Sequence, residues 1–325
     1  MRRIYTLVAM VLLAAAIAAC GSSGGGGSST GKTGGGAPAA KQVTVGVVLK
    51  DLSSPYWAQV RRGIDGAIPA GVKVDLSAAT SEVDVAGQID QIENAVTKGV
   101  NALVVAPTVP DQLMPALTRA AAQGLPIVLI DTDIPKFQHK TAYVGTDNLI
   151  AGRLAGDYIN KQLRGRGKLG ILVSAPGVTS VDDREKGVKS QLGAGITVLD
   201  GGVTECVRDK GVTSAEDLLT AHPDVNAIFT SCADPMKGAL RAIAAAGKSG
   251  TILTVGFDLD AESAQEVRSG QLDALVTQFP ARMGALALQA AADAARGKHV
   301  APVIDSGAEL VTKANVDSIA RAAGF

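Results

Sequence analysis

Ten short apolar runs, set apart by stretches of helical periodicity, limit what this chain can fold into. The first five cover residues 43–49, 72–76, 102–106, 126–131 and 141–144; the second five cover 169–174, 197–199, 227–230, 251–257 and 274–278. As a set they are rich in Val, Ile and Leu and do not alternate with polar residues, the pattern of strands buried on both faces of a parallel sheet. Between them the spacing predicts helices over 56–68, 85–98, 111–123, 149–163, 184–192, 214–220, 236–246 and 282–296. Gly99, Gly124, Gly247 and Gly270 each follow such a helix, where a left-handed terminating residue is needed. Strand–helix alternation with right-handed crossovers gives open, doubly wound α/β sheets. Two sets of strands give two similar lobes, and 41–325 is long enough for both.

The first forty residues follow other rules. Arg2 and Arg3 precede an apolar stretch that ends in Ile17-Ala18-Ala19-Cys20. That is the layout of a secretory signal, too short and wrongly flanked for a membrane span. Its end resembles the lipobox of bacterial lipoproteins, in which cleavage leaves the cysteine as the lipidated first residue. An ordinary signal cut after a small residue, with Cys20 incidental, is the alternative. Residues 21–40 are nearly all Gly, Ser, Thr, Ala, Lys and Pro, a composition that cannot bury enough apolar surface to order itself. As a coil they reach roughly 25 Å. The globular part is expected to begin near Lys41, exported and lipid-anchored at the cell membrane, on the surface or in the periplasm.

Lys plus Arg (31) balances Asp plus Glu (31), so there is no basic field for nucleic acid. The histidines His139, His222 and His299 are far apart and no CxxC is present, which argues against a metal site; no cofactor is expected. With Cys20 lipidated, Cys206 and Cys232 remain as an even pair in an exported chain.

In doubly wound sheets ligands sit beyond the carboxyl ends of the strands. The polar residues there are Lys50, Asp51, Asp131 to Asp133, Asp147, Asn148, Cys232 to Asp234, Asp258 and Gln278. The stretch Val47-Val48-Leu49-Lys50-Asp51-Leu52-Ser53-Ser54-Pro55-Tyr56-Trp57 resembles the first strand and helix of the ribose-binding and allose-binding periplasmic proteins. So do Thr146-Asp147-Asn148, Leu218-Leu219-Thr220-Ala221-His222-Pro223-Asp224-Val225 and Val255-Gly256-Phe257-Asp258. Their order and spacing carry the resemblance, which runs from about Lys41 to Val311. It implies a type I periplasmic binding protein: two Rossmann-like lobes, each a doubly wound parallel sheet, joined by a three-segment hinge. The lobes are then 41–146 plus 279–306 and 147–278 plus 307–325, with crossovers near Thr146–Asp147, Gln278–Phe279 and Ser306–Gly307. Repressors of the lactose-repressor type share this fold but carry an N-terminal helix-turn-helix, where this chain has a signal and a linker.

The resemblance implies a monomeric substrate-binding component of an ABC importer that takes a sugar or sugar alcohol in the cleft and hands it to a membrane permease. Asp131 and Asp258 correspond to the carboxylates that accept from sugar hydroxyls, Arg184 to the arginine that donates in a fork, and Gln278 to the amide at the hinge. Lys50 matches a lysine of the allose-binding type. Tyr56 and Trp57 match the aromatic pair over one face of the ring. Each residue also has a purely structural reading. The two aspartates would cap the following helices, Arg184 would pair with Asp182 or Asp183, and Gln278 would serve only the hinge. Tyr56 and Trp57 would be core, and Lys50 a solvated strand end. Asn148 is read as the cap of the helix beginning at Leu149.

The chain departs from the ribose-binding pattern at three ligand positions: Cys206 replaces a phenylalanine, Cys232 an asparagine and Thr132 an arginine. Aromatics on one side only keep acyclic sugar alcohols in play. Both cysteines should face the mouth of the cleft. A disulfide needs Cα atoms about 4.4–6.8 Å apart, yet in a 2-1-3 strand order the strand at 169–174 separates them by roughly 9–10 Å. The loop 203–205 would have to fold over that strand's end; two free thiols are the alternative. Three other functions compete: the same cleft presenting ligand to a receptor, the same fold holding a non-sugar ligand, and a glycosidase using Asp131 and Asp258. No enzymatic role is expected, because nucleophile–base spacings are lacking.

Overall fold

The computed structural model describes residues 42–173 and 177–325. The signal, Cys20, the Gly/Ser segment, Lys41 and Ser174 lie outside the described residues. The first sheet is built from β1 (Val43–Leu49), β2 (Val72–Ala78), β3 (Ala102–Val105), β4 (Ile127–Ile130) and β5 (Ala142–Gly145). Helices α1 (Pro55–Gly66), α2 (Val85–Thr97) and α3 (Pro110–Ala122) connect the first four strands. The chain then runs through α4 (Asn148–Gln162), β6 (Arg166–Val173), α5 (Thr179–Ser190), β7 (Gly195–Val203) and α6 (Arg208–Ala221). There follow β8 (Ala227–Thr230), α7 (Ala233–Ala245), β9 (Leu253–Phe257), α8 (Ala261–Ser269) and β10 (Ala274–Gln278). It closes with α9 (Pro280–Ala295), β11 (Val303–Asp305), β12 (Ala308–Thr312) and α10 (Val316–Ala323).

Each sheet has six strands, in the orders β11-β5-β4-β3-β1-β2 and β12-β10-β9-β8-β6-β7. All pairings are parallel except β10 with β12. The sixth strand of each sheet is an addition to the ten expected. β11 is three residues long with Val303 exposed, and β12 buries only Val311 fully and exposes Glu309, so neither reads as a buried parallel run. The outer strands β2 and β7 also break the both-faces-buried expectation, because each has one neighbour instead of two. Inner strands β3, β4 and β8 are buried at every position. Helices α8 and α10 are likewise additions to the eight expected. They span nine and eight residues, and α8 is secured by a capping box at Asp260 more than by an apolar stripe.

The chain passes between the sheets three times, after β5, after β10 and between β11 and β12. Helix α9 packs Met283, Ala287 and Leu288 into the first core with Val45, Val47 and Trp57. Helix α10 packs Val316, Ile319 and Ala320 into the second with Leu275 and Val311. The first and third crossovers are tied together: the Thr146 hydroxyl donates to Gly307 O at 3.1 Å and lies 3.2 Å from Ser306 Oγ.

Candidate functional site

The carboxyl ends of both sheets open onto a cavity of about 360 Å³. Lys50, Tyr56, Trp57, Asp131, Arg184, Asp258 and Gln278 all line it, together with Cys206 and Cys232.

Asp131 follows β4 and Asp258 follows β9, the equivalent strands of the two sheets. Each is a non-glycine residue in the left-handed region, with φ of 66° and 67°. Each donates its N–H back to the neighbouring strand: Asp131 to Val144 O at 3.0 Å, Asp258 to Val276 O at 2.8 Å. That turn aims both carboxylates into the cavity, an unfavourable backbone held by the pairing around it. Neither caps a helix; α8 is capped by Asp260.

The two carboxylates differ electrostatically. Asp131 accepts from the Tyr56 hydroxyl at 2.7 Å and the Thr132 hydroxyl at 2.7 Å, and lies 3.5 Å from Lys50 Nζ. Burial alone would raise its pKa, but the charges of Lys50 and Arg184 and these hydrogen bonds hold it below the ordinary carboxylate value. Among the described residues Asp258 has one neutral side-chain donor, Gln278 Nε2 at 2.8 Å. Burial pushes it up to about 6, opposed by Arg184 and Gln278 and reinforced by Asp131 and Glu82. Gln278 keeps its Oε1 buried without a hydrogen-bond partner among the described residues.

Arg184 stands in the middle of α5 and is 4% exposed. It does not pair with Asp182 or Asp183. Its Nε donates to Asn148 Oδ1 at 2.8 Å, its Nη1 to Ser231 O at 2.8 Å, and its guanidinium stacks 3.9 Å from the Phe257 ring centroid. Asn148 therefore corrects the sequence reading. The cap of α4 is Asp147, whose carboxylate accepts from Ile150 N at 3.0 Å, and Asn148 orients the arginine. Helix α5 reaches this position because Gly152 and Gly187 let it lie against α4; a Cβ on Gly152 would meet Arg184 O at 2.2 Å.

Lys50 is buried, not a solvated strand end: it is 4% exposed and lies 3.4 Å from Glu82 as well as 3.5 Å from Asp131. Burial would lower its pKa, and these two carboxylates outweigh that and raise it. Tyr56 and Trp57 meet edge to face at 5.0 Å. Trp57 is 1% exposed and belongs to the first core while also lining the cavity, and its indole N–H donates to Glu82 Oε1. Glu82 carries no signal of the strand-end kind, because it stands in the loop between β2 and α2, well past the strand's end. The TxxxD turn that seats it is a possible signal: Thr80 N and Oγ1 both donate to Asp84, which also caps α2.

Cys206 and Cys232 are joined in the structure with Cα atoms 5.6 Å apart. β6 does lie between β7 and β8. The gap closes because Glu205 and Cys206 both take left-handed backbone (φ 48° and 56°) and Thr204 is anchored through N and Oγ1 to Val173 O at the end of β6. Among the described residues no group of three or more His, Cys, Asp or Glu side chains could hold a metal ion, and no helix is long and apolar enough to cross a membrane.

The model of a periplasmic binding protein domain matches residues 45–299. The chain belongs to the periplasmic binding protein family. This periplasmic binding protein is 31% identical over 274 residues to the ribose import binding protein of Bacillus subtilis (strain 168), covering 84% of this chain and 88% of that one. It is 31% identical over 267 residues to the D-allose-binding periplasmic protein of Escherichia coli (strain K12), covering 79% and 86%. It superposes with a TM-score of 0.82 and 32% identity on a carbohydrate transporter solute-binding protein from Agrobacterium radiobacter in complex with D-arabinose, covering 86% and 98%. These relatives are import and solute-binding proteins, and the type I fold with two sheets astride a cleft is theirs.

Proposed function

We propose that this periplasmic binding protein captures a monosaccharide or a sugar alcohol between its lobes and delivers it to an ABC permease. The observation that carries this reading is the pair Asp131 and Asp258, brought by equivalent strands to face one cavity with the Arg184 guanidinium set among them. Two carboxylates accept from adjacent hydroxyls, while arginine and lysine donate to oxygens and the Tyr56–Trp57 edge covers apolar C–H. The volume is at the small end of the about 300–1,000 Å³ usual for small-molecule sites. Aromatics on one wall and Cys206–Cys232 on another keep sugar alcohols within the ligand class. The lipobox ending in Cys20 and the Gly/Ser segment support tethering to the membrane.

Calorimetry against pentoses, hexoses and polyols tests the reading, with D-ribose, D-allose and D-arabinose as the first probes. Alanine at Asp131, Arg184 or Asp258 removes charge-assisted hydrogen bonds worth about 1.5–3 kcal/mol, a loss of roughly tenfold to a hundredfold in affinity. Folded variants that bind like the wild type would sink the assignment.

A further inference from the structure

Glu82 lines the cavity, and its side chain is 24% exposed between two groups that are almost fully buried. One carboxylate oxygen accepts the indole N–H of Trp57; the other lies 3.4 Å from Lys50 Nζ. Lys50 in turn stands 5.6 Å from the centroid of the Trp57 ring. The three side chains come from β1's end, α1 and the β2–α2 loop, so no one element fixes them together. Without Glu82 the buried indole N–H has no acceptor and Lys50 retains Asp131 alone. The loop is itself secured by Asp84, which accepts from Thr80 and Gly87. Glu82 is therefore held by its own turn and holds the other two.

We propose that Glu82 is the positioning residue of the first lobe's wall: its carboxylate fixes the tilt of the Trp57 indole and the place of the Lys50 ammonium, and so shapes the face that the ligand's ring or chain meets. This rests on the ligand reading above, yet half of its test needs no ligand. Trp57 is the only tryptophan in the chain, so tryptophan fluorescence reports on the surroundings of this one indole. Removing the acceptor frees the indole N–H and lets water reach the ring edge. Glu82→Ala should therefore change the emission maximum and raise acrylamide quenching in the sugar-free protein. Glu82→Gln, whose amide oxygen still accepts from the indole, should keep the wild-type spectrum. In titrations with whichever of D-ribose, D-allose, D-arabinose or myo-inositol the wild type binds, Glu82→Ala should lose roughly tenfold or more in affinity. Glu82→Gln should lose less, since it gives up only the charge facing Lys50. A folded Glu82→Ala protein with wild-type emission and quenching overturns the proposal, as does a changed spectrum with unchanged affinity. If the wild type binds none of the probes, the ligand reading falls and the fluorescence comparison still decides the role of Glu82. Should Glu82→Ala fail to fold, Glu82→Gln decides: a preserved spectrum with weakened binding supports the role, and unchanged affinity removes it.

Discussion

Asp258 is a cavity residue whose protonation changes within an accessible pH range. Its folded pKa of about 6 lies above the ordinary value of about 3.9. Between those values the folded chain binds more protons than the unfolded one, so Asp258 makes stability fall as pH rises through that window. Asp131 acts oppositely: its depressed pKa contributes stability above the ordinary carboxylate value that is lost as pH falls through the folded one. Ligand hydroxyls that donate to Asp258 favour its ionised form. Affinity should therefore drop as pH falls below about 6, and binding near that pH should release protons. Calorimetry in two buffers of different ionisation enthalpy measures the release, and Asp258→Asn should abolish it. Equal heats in both buffers at pH 6 for the wild type would count against hydroxyl donation to this carboxylate.

At the scale of elements, helix pairs approach through glycine where the site needs them close. Gly152 and Gly187 bring α4 against α5, as Gly211 and Gly238 bring α6 against α7. Gly152→Ala places a methyl within 2.2 Å of Arg184 O, and the helices must separate. The expected cost is about 1–3 kcal/mol of stability, with weakened ligand binding because the Arg184 guanidinium moves with its helix. Chemical denaturation and calorimetry check both, and a variant unchanged in both would show that α5 is set by other contacts. The β7–α6 loop offers a second test at this scale. Closing a loop over a sequence separation of 26 residues with Cys206–Cys232 is worth about 3–4 kcal/mol on the chain-entropy account. The unreduced, unfolded protein should yield no alkylatable thiol at either position by intact mass. Two modified cysteines there would leave the loop to Thr204 and the left-handed pair alone.

The whole molecule has its cleft closed by direct contacts between the lobes. Thr179 donates to Asp133 O at 2.6 Å, Gln59 Nε2 to Leu259 O at 3.1 Å, and Thr132 Oγ1 lies 3.1 Å from Ser180 Oγ. A ligand touching both lobes adds to these and favours closure, since only the closed form makes both sets of contacts. Small-angle scattering should show a smaller radius of gyration with saturating ligand; identical profiles would argue against hinge motion. Cys20→Ala should release the protein from membranes or block its processing. Unchanged fractionation and N-terminal mass in that variant would rule out the anchor.

Much of this architecture is written locally. Non-alternating apolar runs at 102–105, 127–130 and 227–230, too short for helices and bounded by turns, read as inner strands, and left-handed glycines such as Gly99 and Gly270 mark helix ends by their lack of Cβ. Polar residues just past the parallel strands, Asp131 after β4 and Asp258 after β9 among them, follow from the same pattern, since strand direction fixes which end meets the cleft. The edge strands β11 and β12 escaped because their stability comes from a neighbouring strand and not from their own apolar content. Tertiary structure alone decided how the site residues are charged and held. Asn148 turned from a cap into a partner of Arg184 once α5 lay against α4, and Glu82 acquired its place only when the β2–α2 loop met α1. The reach from Cys206 to Cys232 depends on a left-handed bend over a third strand. Spacing along a chain encodes periodicity and direction; it does not encode which distant groups share a low-dielectric cavity, and there pKa values and hydrogen bonds are set.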